Sequence, residues 1–303
     1  GCRGLAQCHL LPFRAMSEKG RIVAAHGRQY RVELADGQVL PCFPRGKKSE
    51  VACGDDVDIE RSGADQGVIA AVRPRRSLLY RSNEIRQKLI AANVDQLVVV
   101  VATEPAFSDE LVTRALVAAE SEEISPLIVL NKCDLIDKLD AARERLAMFV
   151  DQGYRVLELC ARDHAEDLRP ALAGRTSVLV GQSGMGKSTL VNALVPEARA
   201  ATREISTALA SGKHTTTHAS LYHLDADTHL IDSPGLQEFG LGHLERSELE
   251  HSFPEFRPYL GQCRFRDCRH DREPDCALRA ALGSGAIDPR RFAVYQRIAG
   301  ELY

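Results

Sequence analysis

The sequence predicts a multidomain α/β chain: a small N-terminal β-barrel, then a parallel sheet flanked by helices, then a helical C-terminal region. Three observations predict it. Five short strands split by turn residues fill residues 20–73. Buried-strand runs alternate with helical stretches from about 93 to 240, and beyond 241 a helical pattern is interrupted by a cluster of cysteines.

The barrel strands are expected at 21–25, 29–34, 39–43, 57–60 and 67–72, with Asp36-Gly37 as a hairpin turn. Five strands in so short a span favour an OB-fold barrel; an SH3-like barrel has the same local signature. The apolar runs 96–102, 127–130, 156–159 and 177–180 read as buried strands, and 108–120 and 139–152 as helices between them. Two further strands, 220–224 and 229–231, are expected to pair as a hairpin. The last helix, 289–302, starts with Asp288 as N-cap and Pro289 at the first helical position. Domains are expected at 19–75 (barrel), 76–240 (parallel sheet) and 241–303 (helical), after a disordered 1–18 extension in which Met16 is read as the start.

Composition narrows the function classes. With 303 residues, 44% hydrophobic and 27% charged, the chain can bury a real core, and no apolar run approaches the ~20 residues of a membrane helix. No signal peptide is read in the first 16 residues. A net charge of −3 argues against a generically basic nucleic-acid binder, but the charge is uneven. Residues 1–76 carry 13 Lys and Arg against 9 Asp and Glu, residues 77–262 carry 18 against 27, and residues 263–303 carry 8 against 6. Any RNA partner is expected to touch the two ends. Six of the nine cysteines are scattered, as small core hydrophobes are; three crowd into 263–276 beside a histidine.

Strand 177–180 runs into GQSGMGKST, residues 181–189, and then a helix. This is GxxxxGK[ST] in the strand–loop–helix setting that gives it meaning: a loop whose backbone N–H groups cradle phosphate at a helix N-terminus. Gly181, Gln182, Ser183, Gly184, Met185, Gly186 and Thr189 form the cradle. Lys187 is expected to reach the β/γ-phosphates, and the Ser188 hydroxyl to ligate Mg²⁺. The base is chosen by NKCD, 131–134, at the end of another strand. The Asp134 carboxylate can accept from both the ring N–H and the exocyclic amine of guanine, which adenine lacks; Asn131 supports the loop, and the Lys132 stem covers the purine. Cys160 and Ala161, after a third strand, are placed to offer a backbone N–H to the guanine carbonyl. DSPG, 232–235, follows the strand 229–231: Asp232 suits water-mediated Mg²⁺ binding, and the Gly235 N–H suits the γ-phosphate. GKHTTT, 212–217, reads as a switch in which Thr215, Thr216 or Thr217 completes the Mg²⁺ shell, Thr216 being preferred.

Motif order is the sharpest observation. NKCD at 131 precedes the phosphate loop at 181, and DSPG at 232 comes last, whereas guanine-nucleotide domains ordinarily start with the phosphate loop. One site can be assembled from this order only if the chain is circularly permuted. Past it, Cys263-x₄-Cys268-x-His270-x₅-Cys276 offers four soft ligands, a set that suits a closed, structural zinc site; a buried cysteine-rich loop or redox thiols is the alternative.

From about residue 20 onward, this motif order together with CRFRDCRHDREPDC resembles the ribosome small subunit-dependent GTPase A family of circularly permuted bacterial GTPases. The resemblance implies an OB-fold that binds RNA and GTP hydrolysis that is slow alone and stimulated by the small ribosomal subunit late in its maturation. It also implies one structural Zn²⁺, Mg²⁺ with GTP, and rRNA contact at the OB-fold and zinc domain. A cytoplasmic monomer is expected, with other assembly factors as further partners. Met185, Lys213 and Cys160 depart from the family's usual small aliphatic, Arg and Ser. After Gly235, Leu236 stands where Ras-like enzymes hold a water-orienting Gln, and neighbouring Gln237 is expected to be misdirected. His214 is the candidate catalytic group, with a solvated loop histidine as the alternative. A GTP-gated RNA-binding module, in which hydrolysis only resets binding, is the second reading of the whole chain; a nucleoside-phosphate kinase is the third.

Overall fold

Alternating burial marks the first five strands, as in β2, where Tyr30, Val32 and Leu34 point inward and Gln29 and Arg31 outward. The computed structural model describes residues 17–26, 29–46, 50–83, 86–195, 198, 219–233, 239 and 241–303, and leaves the side chains of 81–88 undescribed. Its barrel consists of β1 (Glu18–His26), β2 (Gln29–Leu34), β3 (Val39–Pro44), β4 (Asp56–Arg61) and β5 (Gly67–Val72). They pair in the order β1-β2-β3-β5-β4 and close through β1–β4. The β3–β5 pairing is parallel, with Cys42 opposite Gly67. This crossing pairing distinguishes the OB-fold from barrels built only of sequential antiparallel neighbours. Ile22, Val32, Leu40, Cys42, Val57 and Ile59 fill the interior, and the Asp36-Gly37 turn closes as expected, with Gly37 at φ +82°.

A hairpin absent from the sequence reading follows: β6 (Leu78–Asn83) and β7 (Arg86–Ala92). Next comes the central sheet of β8 (Gln96–Ala102), β9 (Ser125–Asn131), β10 (Val156–Glu158), β11 (Thr176–Val180), β12 (Ala219–His223) and β13 (His229–Asp232). Its order is β10-β9-β8-β11-β13-β12, parallel except for β12. β8 and β11 are buried along their whole length, as central strands covered on both faces must be. Helices α1 (Asp109–Ser121), α2 (Ile136–Val150), α3 (Arg169–Leu172) and α4 (Lys187–Leu194) connect them. Ser108 proves to be the N-cap of α1, accepting from Leu111 N–H. α2 begins three residues before the apolar periodicity does, because its first turn is solvent-facing. From β8 the chain winds outward to β10, then returns to place β11 on the other side of β8; the strand order therefore reverses at the β8/β11 seam, where α/β sheets bind ligands.

The C-terminal region holds α5 (Arg246–His251), α6 (Ala277–Gly283) and α7 (Pro289–Leu302). Asp288 caps α7 as predicted, its carboxylate accepting from Arg290 N–H at 2.7 Å. This region docks on α1: Arg114 Nη2 donates to both carboxylate oxygens of Glu301 at 2.6 and 2.7 Å, Arg297 pairs with Glu110, and Arg257 reaches Glu120 at 2.6 Å. At the other end, β12 pairs antiparallel with β1, Ala24 opposite Ser220, so barrel and central sheet form one hydrogen-bonded array. Among the described residues no helix is long and apolar enough to cross a membrane.

Candidate functional site

The phosphate-loop residues leave β11 at its carboxyl end. Gly181 has φ +146°, and a Cβ there would lie 2.2 Å from the Val100 carbonyl oxygen of β8, so only glycine fits. Gly186, at φ +89°, is the N-cap of α4, and a Cβ there would meet the Asn131 side-chain amide at 2.2 Å. Met185 is buried at 1% exposure among core residues, so its size is absorbed by packing and not by the ligand side. Ser183, Gly184, Ser188 and Thr189 face solvent. Lys187 curls back over the loop, donating from Nζ to the carbonyls of Gly181 at 2.5 Å and Gln182 at 2.9 Å. Asp232 ends β13 in register with Leu179 of β11. Burial pushes the Lys187 ammonium down and the Asp232 carboxyl up, each opposed by the other's charge. An anionic ligand with a divalent cation would satisfy both groups.

Asn131, at the end of β9, joins three loops. Its Oδ1 accepts from the N–H of Lys132 at 2.8 Å and of Ala161 at 2.9 Å, and its Nδ2 donates to the Met185 carbonyl at 2.8 Å. Lys132, at φ +62°, sends Nζ to the carbonyls of Glu104 at 2.7 Å and Gly184 at 2.8 Å. Asp134 is exposed beyond them, open to a ligand. Cys160 is buried, with Sγ 3.6 Å from Asp163 Oδ2. Thus the residues read as NKCD, as phosphate loop and as the 160–161 turn meet at one sheet edge, although up to 54 residues separate them in sequence.

The segment after β8 is the part that sequence reasoning missed. Thr103 Oγ1 donates to the Lys132 carbonyl at 2.9 Å, and the Ser108 N–H donates to Gln182 Oε1 at 2.8 Å. No motif marks these residues; their place at the end of the strand beside the order reversal is the signal that could have found them. His214, Thr215, Thr216, Thr217, Gly235, Leu236 and Gln237 lie outside the described residues.

In the C-terminal region, one ligand atom from each of Cys263, Cys268, His270 and Cys276 lies within 4.8 Å of all the others. His270 Nδ1 is 3.3 Å from Cys276 Sγ and 3.6 Å from Cys263 Sγ, and those two sulfurs are 3.9 Å apart. The edges of a tetrahedron around zinc would be about 3.8 Å for S···S and about 3.6 Å for N···S, given ordinary zinc–ligand bond lengths. The donor set and its spacing fit such an ion. Cys42, Cys53, Cys133 and Cys160 lie in the barrel and central sheet, outside this cluster.

A model of the RsgA GTPase family matches residues 72–242. The chain is 57% identical over 288 residues to the small ribosomal subunit biogenesis GTPase RsgA of Burkholderia pseudomallei, covering 93% of this chain and 92% of the relative. It is equally similar, 57% over 287 residues, to the protein of that name from Bordetella pertussis, covering 93% of this chain and 96% of the relative. Among solved structures, YjeQ from Thermotoga maritima superposes with a TM-score of 0.72 at 31% identity, covering 95% of this chain and 99% of that one. YloQ, a circularly permuted GTPase, gives 0.69 at 28% identity, covering 96% and 97%. The permuted motif order, the strand order that reunites those motifs and the length of these matches lead to one assignment: the chain belongs to the RsgA family of GTPases.

Proposed function

We propose that this GTPase hydrolyses GTP to GDP and phosphate slowly by itself and faster on the small ribosomal subunit, whose late maturation in the cytoplasm it assists. The observation that carries the nucleotide half is Asn131, which binds the guanine-side loop and the phosphate loop into one rigid unit. Asp134 reads the guanine edge and Lys132 covers the base, while the Ala161 N–H, already taken by Asn131 Oδ1, braces the turn beside them. Lys187 releases its two loop carbonyls to meet the β- and γ-phosphates, and its burial strengthens that pairing. Ser188, Asp232 and one switch threonine, Thr216 by preference, would hold Mg²⁺, which neutralises charge between the phosphates. Gly235 N–H would meet the γ-phosphate.

Leu236 offers no amide to orient water, which supports slow intrinsic turnover; His214 takes that role once the subunit places it. The ribosomal half rests on the names of the relatives and on the exposed arginines around the metal loop, Arg264, Arg266, Arg269 and Arg272, which suit phosphate backbones. Zinc is the ion assigned to Cys263, Cys268, His270 and Cys276, and with all four positions filled by protein its role is structural. GTP turnover with and without purified small subunits tests the proposal. Stimulation well above the intrinsic rate supports it; tight RNA binding with no stimulation would leave a GTP-gated binding module instead.

A further inference from the structure

We infer that Glu250 is a positioning residue for the metal centre, holding His270 in the tautomer that turns a bare Nδ1 toward the cysteine sulfurs. The inference rests on the zinc reading above. A neutral imidazole carries one proton, and the ligating nitrogen must be the other one. His270 Nδ1 is the atom facing Cys263 and Cys276, at 3.6 and 3.3 Å. Its Nε2 lies 3.2 Å from Glu250 Oε1, within hydrogen-bond reach, and both side chains are largely buried, at 6% and 15% exposure. A carboxylate there accepts an Nε2 proton and leaves Nδ1 free for the ion.

Glu250 comes from α5, outside the metal loop, and has a second partner. The Tyr295 hydroxyl of α7 donates to the same Oε1 at 3.2 Å. Tyr295 is fully buried and packs edge-on against Phe253 and Phe256. One carboxylate therefore joins the metal loop to the aromatic core of the C-terminal helices.

The test is zinc affinity of the full-length chain, measured by competition with a chromophoric chelator. Glu250→Leu is expected to weaken zinc binding about 10–100-fold, the usual cost of losing such an outer partner. Glu250→Gln keeps the volume and one neutral acceptor, and is expected to weaken it at least about threefold, since charge-assisted bonds are about twice as strong as neutral ones. Tyr295→Phe leaves the His270 contact intact and is expected to stay within about twofold of the parent. Long-range ¹H–¹⁵N spectra of zinc-loaded protein add a second readout: the His270 Nε2 proton exchanges slowly in the parent, faster in Glu250→Gln with its weaker neutral acceptor, and fastest in Glu250→Leu, which has none. If Glu250→Leu does not fold, the isosteric Glu250→Gln decides. A parent chain that takes up no zinc overturns the zinc reading and this inference together. A parent that binds zinc no more than about twofold more tightly than the Glu250 variants, well short of the expected loss, overturns this inference alone.

Discussion

The Asn131 side-chain amide donates to the Met185 carbonyl at 2.8 Å, so a strand-end residue of β9 supports the backbone of the phosphate loop that follows β11. Asn131 is 2% exposed and uses both ends of its amide. Asn131→Ala strands two buried backbone groups, the Met185 carbonyl and the Ala161 N–H, each worth about 1–3 kcal/mol when left unpaired, besides the half-buried Lys132 N–H. GDP affinity is expected to fall at least about tenfold for the first such loss, with a lower Tm, as calorimetric titration and melting would show. Unchanged GDP affinity would mean that the two loops hold their shape independently.

Asp134 is exposed at the mouth of the same site. Asp134→Asn replaces an acceptor of two guanine donors by an amide. GDP binding is expected to weaken by about 10–150-fold, the equivalent of one charged hydrogen bond, while xanthosine diphosphate binding improves. Competition of the two nucleotides for parent and variant checks it. Equal affinity of the parent for ADP and GDP would refute base recognition by this residue.

His214→Ala is expected to lower subunit-stimulated kcat about 10²-fold, as losing one positioned catalytic group usually does. Affinity for a non-hydrolysable GTP analogue is expected to be unchanged, because Lys187, Ser188 and Asp134 are untouched. Stimulated turnover within about twofold of the parent, far from that loss, would make His214 a solvated loop residue.

Arg291 and Glu255 form a buried ion pair at 2.6 and 3.0 Å, with the guanidinium 4.8 Å from the Phe253 ring and 5.7 Å from Phe149 of α2. The pair thus stands where the C-terminal helices meet the central domain. Glu255→Leu leaves an uncompensated buried cation and is expected to cost about 3–5 kcal/mol. Combining it with Arg291→Met removes that charge and is expected to restore most of the loss. Denaturant melts of the two single variants and the double variant measure the coupling; additive losses would contradict it.

His223 and His229 face each other on the β12–β13 hairpin with their Nδ1 atoms 2.9 Å apart, and His223 Nε2 reaches Glu33 of the barrel at 2.9 Å. Burial, then the charges of His223 and Arg21, push the His229 pKa down. The unfolded chain therefore binds a proton more readily than the folded one. Stability from this group is fully present above the unfolded value of about 6.5 and is lost as pH falls through the lowered folded value. Melting temperature is expected to drop on acidification below that point, with a shallower drop in His229→Gln. Identical profiles would assign the acid sensitivity to other groups.

Several features are legible in the chain itself because they depend on short-range chemistry. The loop 181–189 and the spacing of Cys263, Cys268, His270 and Cys276 are set by how closely phosphate or a metal ion must be approached by neighbouring residues. The cap at Asp288 and the turn at Asp36-Gly37 are equally local. The permuted motif order also needs no coordinates, since it is an order along one dimension. The β6–β7 hairpin stayed hidden because its central residues 81–88, RSNEIRQK, carry one apolar side chain and no Asn-Gly or Asp-Gly turn.

Only the tertiary structure decided what depends on partners far apart in sequence. The parallel pairing of Cys42 with Gly67 separates an OB-fold from its look-alike, and the Ala24–Ser220 pairing makes barrel and sheet continuous. Asn131 meets Met185 across 54 residues, and His270 of the metal loop meets Glu250 of α5. Periodicity records which face of an element is apolar but not which distant polar group will satisfy it. In a buried site that satisfaction determines where protons sit and how rigidly loops are held.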